Sequence, residues 1–386
     1  MAKAKANVGG GACVTTTIRQ AVPLMLIIAA SIMGCGGGDD GGTTPPPIRY
    51  FAYVANVSSS DISIFAIDSS TGALTAIQGS PFFKGYDPLS IAVGPAAKFA
   101  YVADGSFVHA HPIDAATGQL WFESAGSPYS AESDARSIAV DPTGRFVYVL
   151  NEGYGSFDIS AYAIDSSTGA LTEIGGSPFP AGSYPVSMVL DSDGKFIYVA
   201  NFDDHVSAYA IDASTGALTE VAGSPFPGGL HPCSVAVDPT RKFVYAANWS
   251  SSDISAYAVD PTTGALTEIA GSPFPAGLGE MFVAVDPSGK FAYLTNAGSN
   301  SVHGYAINAM TGALTEIAGS PFPAGSWPIF IAFGPTGKFV YVANRDSGDI
   351  SGYTINPSTG ALSAISGSPF QSGGWPAFIV TSRIEQ

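Results

Sequence analysis

Side chains able to do chemistry are few in this sequence, and their positions recur. At intervals of 47 to 50 residues the chain places Asp87, Asp134, Tyr184, His231, Gly279, Trp327 and Trp375, five of the seven directly before a proline. The flanking sequence is monotonous, whereas this one position holds two acids, an imidazole and three large aromatic rings. Carboxylates beside aromatic faces suit a sugar-like or other cyclic ligand, stacked on a ring and hydrogen-bonded at its edge. The same rings would serve equally to plug a channel. A second variable set, Glu152, Tyr154, Phe202, Asp203, Asp204, His205, Trp249 and Arg345, follows the same interval.

Other chemistries find no support. The sequence has no Cys-x-x-Cys-His for haem and no histidines at metal spacing, and His109 and His111 stand alone within one strand pattern. Asp191-Ser192-Asp193-Gly194 is a fragment of a calcium loop without its remaining ligands. No Gly-x-Ser-x-Gly elbow is present. The reading therefore calls for neither metal nor cofactor.

The elements that carry these positions are repeats. A tyrosine opens seven matching segments at Tyr53, Tyr101, Tyr148, Tyr198, Tyr245, Tyr293 and Tyr341, spaced 48, 47, 50, 47, 48 and 48 residues apart. Each unit holds short runs rich in Val, Ile, Tyr and Phe between Asp-Pro-x-Gly and Thr-Gly turns, which is strand and hairpin punctuation. Four antiparallel strands per unit make a blade with two apolar faces, and only stacking seven blades in a ring buries both. The fold class is thus an all-β seven-bladed propeller over residues 48–386. The chain enters at Tyr50-Phe51-Ala52-Tyr53, a blade's second strand, and ends at Pro376-Ala377-Phe378-Ile379-Val380, an innermost strand. Pairing of the two closes the ring and removes an open sheet edge. In such a ring the loops entering the innermost strands and those joining the second and third strands share one face. Both variable sets then surround one channel mouth. The opposite face gathers Lys98, Arg145, Lys195, Arg241, Lys242, Lys290 and Lys338, with Asp141, Asp191, Asp238 and Asp286 as expected partners.

Upstream lies an export signal. Lys3, Lys5 and Arg19 precede an apolar run from Ala21 to Gly34, too short for a bilayer span but right for a signal peptide over residues 1–34. Ile32-Met33-Gly34-Cys35 resembles a bacterial lipobox, which implies lipidation of Cys35 and a membrane partner through that anchor. Residues 35–47, rich in Gly and then Pro, form a tether. Gly36 after the cysteine implies an outer-membrane lipoprotein of the cell envelope, periplasmic or surface-facing. Three of the 15 cations fall in the leader, leaving 12 against 31 acids, a balance of −19 that excludes nucleic acid as a partner. Cys233 alone remains in the propeller, so no internal disulfide forms.

The recurring Tyr-Val-Ala-Asn, at Tyr53 to Asn56, Tyr198 to Asn201 and Tyr341 to Asn344, resembles the YVTN-type repeat. The whole unit is similar to the seven-bladed lactonase-like family, which includes 6-phosphogluconolactonases and a muconate-lactonizing enzyme. That resemblance implies catalytic roles for an Arg on one innermost strand and a Glu after the next strand. Arg136 and Glu152 occupy those places. Ser137, however, stands where the family has a His after the Arg, and Asn201-Phe202 where it has Asn-Arg. The residues themselves point first to a binding module. Its ligand, carbohydrate-like or protein, would lie at a mouth formed by Asp87, Asp134, Tyr184, His231, Trp327 and Trp375. The resemblance implies a hydrolase opening a lactone without metal.

Overall fold

In the computed structural model, residues 48–82, 87–153, 157–277, 279 and 282–385 are described, Glu132 and Ser133 in backbone only. The expected signal peptide, Cys35, the tether and Tyr154 lie outside the described residues.

Each repeat folds as its turns dictate. The third unit runs inward to outward through Tyr129–Val140, Phe146–Asn151, Asp158–Ile164 and Leu171–Glu173, each strand antiparallel to the next. The units beginning at Pro185, Pro232, Val283 and Pro328 repeat this order. Where Tyr129–Val140 begins, the outer edge of one blade runs unbroken into the inner strand of the next, so those two blades form one continuous sheet. Buried apolar side chains from the second and third strands of adjacent blades interlock between the sheets.

The inner hairpin turn corrects one expectation. Asp141 Oδ1 accepts the amides of Arg145 (2.6 Å) and Phe146 (2.7 Å), and its Oδ2 accepts the amide and hydroxyl of Thr143. Asp191, Asp238 and Asp286 hold the corresponding amides of their own turns. These four acids are buried and do not partner the cations that follow them. Satisfying turn amides out of water is worth more to a carboxylate than an exposed pairing with a lysine. The ion pairs on this face run instead from Arg241 and Lys195 to Asp193, at 2.5 and 3.7 Å.

The seven tyrosines tie the blades together. Each is at most 1% exposed. Each hydroxyl donates to the carbonyl of a Thr-Gly glycine in the following blade, from Tyr53 to Gly118 around to Tyr293 to Gly360, at 2.7 to 3.2 Å. Tyr341 completes the circle on Gly72 at 2.7 Å. Burial raises every one of these phenols above its ordinary range. Those glycines have no substitute. At Gly216 φ is +77, and a Cβ would stand 2.5 Å from the Phe146 ring. Tyr245→Phe should destabilise the protein by about 1–3 kcal/mol, because the Gly312 carbonyl loses its donor in a dry interface. Denaturant titration would show this as a lower midpoint at unchanged slope; an unmoved midpoint would mean the bond contributes nothing net.

Closure follows the expected pairing over a longer stretch. Ile48–Asn56 and Pro376–Glu385 lie antiparallel from Ile48 opposite Glu385 to Asn56 opposite Pro376, with one irregularity beside Asn56. The asparagines of the repeat are buried. Asn56 Nδ2 donates to Asp61 (2.8 Å) and Ser63 (2.9 Å), and Asn151, Asn248 and Asn344 repeat the arrangement.

Candidate functional site

Backbone hydrogen bonds place both variable loop sets at one mouth. The carbonyls of Asp134, Tyr184, His231, Trp327 and Trp375 accept the amides of Glu152, Phe202, Trp249, Arg345 and Val57, at 2.8 to 3.1 Å. Each ring residue is thereby fixed beside the first residue after a repeat asparagine. The backbone at these five positions is left-handed, with φ between +50 and +57, and Gly279 sits at +108. An aromatic residue held there costs on the order of 1 kcal/mol or more. The inner strand then shifts register just past the proline, as between Pro185 and Ser187. The strained residue therefore sits at the strand mouth and not within the sheet. Neighbouring blades hold two of these residues from behind. Asp204 accepts the His231 amide and Asn300 the Trp327 amide, both at 2.8 Å.

The rings are accessible. Tyr184 and Trp375 are 53% and 51% exposed, which does not fit rings packed as a plug. They sit in three groups. Tyr184 rests on Phe157 at 4.8 Å. His231 stacks on Phe202 at 4.3 Å with Trp249 alongside, and its Nδ1 meets Ser250 Oγ at 2.6 Å. The Arg345 guanidinium lies between Trp327 and Trp375, at 4.7 and 5.4 Å from their ring centres, and bonds Asp346 through Nε at 2.9 Å. Asp87 is exposed and accepts the Ser60 hydroxyl at 2.7 Å.

Arg136 and Glu152 meet. Ala135 opposes Asn151 across the inner hairpin, the Glu152 amide bonds the Asp134 carbonyl just beyond that pair, and Arg136 stands at the register shift between Ala135 and Ser137. Arg136 Nη1 lies 2.7 Å from Glu152 Oε2, with the side chains 54% and 26% exposed. Arg136 is not the sole cation of the innermost strands, because the closing strand runs on to Glu385 and carries Arg383 at its far end. At the mouth end, among the described residues of those strands, it has no companion.

Two features escaped the sequence reading. Phe282, Phe330 and Phe378, each three residues after a mouth position in adjacent blades, stack at 4.0 and 3.8 Å along one side of the channel. The same place in the other four blades holds Ser90, Ser137, Ser187 and Ser234. Comparing that position across the seven repeats would have exposed the division. The second feature overturns the isolation of His109. It is buried between Asp104 (2.8 Å from Nε2) and Glu123 (2.9 Å from Nδ1). Burial opposes its charge, but the two carboxylates outweigh that and hold His109 above its ordinary pKa. Beside it, burial pushes His111 down to about 4. Glu123 is contributed by the outer edge of the blade, 14 residues along, where strand periodicity gives no sign of it. Among the described residues no three His, Cys, Asp or Glu side chains gather as a metal would require.

A family model described as "Lactonase, 7-bladed beta-propeller" matches residues 108–283 and 275–375. Solved structures share the architecture. One from Bacteroides uniformis, described as a candidate 6-phosphogluconolactonase, aligns at TM-score 0.75 and 19% identity, covering 86% of this chain and 99% of its own. A second such candidate, from Bacteroides fragilis, aligns at 0.73 and 19%, covering 86% and 98%. The periplasmic gluconolactonase of Pseudomonas aeruginosa aligns at 0.71 and 15%, covering 88% and 100%. No curated protein sequence matches the chain. With the family match spanning most of the propeller, the chain belongs to the seven-bladed β-propeller lactonase family.

Proposed function

We propose that this protein hydrolyses a lactone at the channel mouth, with Arg136 and Glu152 as catalytic residues. One observation carries the reading: the two side chains that the family pattern pairs are in contact at 2.7 Å, on an accessible rim, in the blade where the pattern expects them. The family membership and the lactonase descriptions of the similar structures favour this over a purely binding role. Glu152, as carboxylate, takes a proton from water while the water oxygen bonds to the lactone carbonyl carbon. Arg136 donates to the carbonyl oxygen as it gains negative charge. The ring C–O bond then breaks, and the proton held by Glu152 passes to the departing oxygen, giving a hydroxy acid. Ser137, in the place of the family's histidine, leaves the acid–base work to Glu152. The exposed rings of Tyr184 and Trp375 and the half-buried ring of Trp327 offer faces for the substrate body, with Asp87, Asp134 and His231 at its edge. A pH-stat assay of the purified protein over a panel of lactones, corrected for spontaneous opening, tests this. Acid release above background on at least one lactone is expected, and silence across the panel would leave the mouth as a binding surface.

We further propose that the propeller is held at the cell envelope through lipidated Cys35, with residues 35–47 as the spacer. The −19 balance of the chain from Cys35 onward leaves little attraction for anionic lipid, so retention would rest on the anchor's acyl chains. Cys35→Ser should move the protein from the membrane fraction to the soluble one, and a variant that stays with membranes would refute the anchor.

A further inference from the structure

Substrate charge is written into the mouth. Resting on the lactonase reading, we infer that the lactone opened here is uncharged and that a phosphorylated or otherwise anionic lactone is disfavoured. The described loops of that face carry Asp87, Asp134, Glu152, Asp203, Asp204 and Asp346 against two arginines. Neither arginine is at the disposal of a phosphate without loss. Arg136 is engaged by Glu152 at 2.7 Å, and Arg345 by Asp346 at 2.9 Å while lying between two indoles. In sequence, the same loops add Lys84 against Glu132 and Glu280, which leaves the sign unchanged. Lys98, Arg145, Lys195, Arg241, Lys242, Lys290 and Lys338 follow the inner turns on the far face, and Arg49 and Arg383 lie in the closing strand pair toward that end.

A phosphate dianion approaching this mouth therefore meets a field of its own sign. Among the described residues the mouth loops add no basic side chain beyond Arg136 and Arg345 to clamp it, and both of these are already engaged by carboxylates. What the mouth and channel offer instead is apolar. Phe282, Phe330 and Phe378 stand side by side at the same level of three adjacent blades, and Trp375, half exposed, lies at the mouth three residues before Phe378. The C–H face of a neutral ring stacks on such a surface, whereas a charged substituent loses hydration there without compensation.

The test compares glucono-1,5-lactone with its 6-phosphate on the full-length protein, by kcat/KM at low and high salt. The neutral lactone should be favoured by roughly tenfold or more at low ionic strength, since fields of this kind change association by factors of 10 and upward. Raising NaCl should narrow the gap by speeding the phosphorylated substrate, because screening removes the repulsion. Asp87→Asn and Asp134→Asn together should do the same at low salt. Asparagine tolerates the left-handed backbone of residue 134, so the fold is retained. Equal or better turnover of the phosphate ester, or a preference indifferent to both salt and the double substitution, overturns this inference and leaves the lactonase reading standing. No turnover of any lactone overturns both.

Discussion

Glu152→Gln and Arg136→Ala should each lower kcat/KM for the responsive lactone by about 100-fold or more. The arithmetic follows from their roles. A positioned general base contributes about 10²–10⁴ in rate, and loss of one oxyanion donor costs about 10²–10³. Stability should hardly change, because the pair is an exposed ion pair of the kind that contributes about 0–1 kcal/mol. The combination is diagnostic. A rate that collapses while the melting temperature holds marks chemistry, whereas parallel losses would mark a structural contact. Non-additivity sharpens the test: if the two act on one transition state, the double variant should be little slower than the worse single one. Turnover that survives both substitutions would remove these residues from the mechanism.

The second large effect concerns the closing strand. Deleting residues 376–386 strips a partner from the whole length of Ile48–Asn56 and opens the ring between two blades. Ile379 and Ile384, 1% and 2% exposed, lose their sites, and full burial of such a side chain is worth about 1.5–3 kcal/mol. Their loss alone is comparable to a sizeable share of the roughly 5–15 kcal/mol that holds a domain together. The truncated chain should show no cooperative melt and should aggregate through the uncovered strand edge. A deletion variant that melts within a few degrees of the intact protein would show that the ring does not depend on this pairing.

Architecture was legible because the chain states it seven times. Asp-Pro-x-Gly and Thr-Gly turns bound runs of strand-forming residues, and the out-of-phase ends, Tyr50 onward and Pro376 onward, could belong together only in a closed ring. Less legible was what each repeated residue does. The repeat tyrosine reads as an apolar strand residue, but its hydroxyl reaches a carbonyl some 67 positions away, for instance Tyr245 to Gly312. Asp141 stands close to Arg145 in sequence and looks like its ion-pair partner, although its carboxylate is spent on turn amides. Arg136 and Glu152 were found through the family pattern, and strand register brought them into contact. His109 and Glu123 meet across a hairpin whose outer strand departs from the repeat, so no copy elsewhere advertised them. The left-handed backbone of the mouth residues leaves no trace in composition at all.

The pairing of Ile48 with Glu385 has a consequence for how the chain could be cut and rejoined. These two residues stand opposite each other at the far face, where every other blade joins its first and second strands by a five-residue connection. A connection such as Asp-Pro-Ser-Gly-Lys between residues 385 and 48 would make the backbone circular with no strand displaced. The seven tyrosine contacts already treat the blades as equivalent steps of one cycle. New termini could then be opened at another inner turn, and every blade would keep all its strands while the mouth kept its geometry.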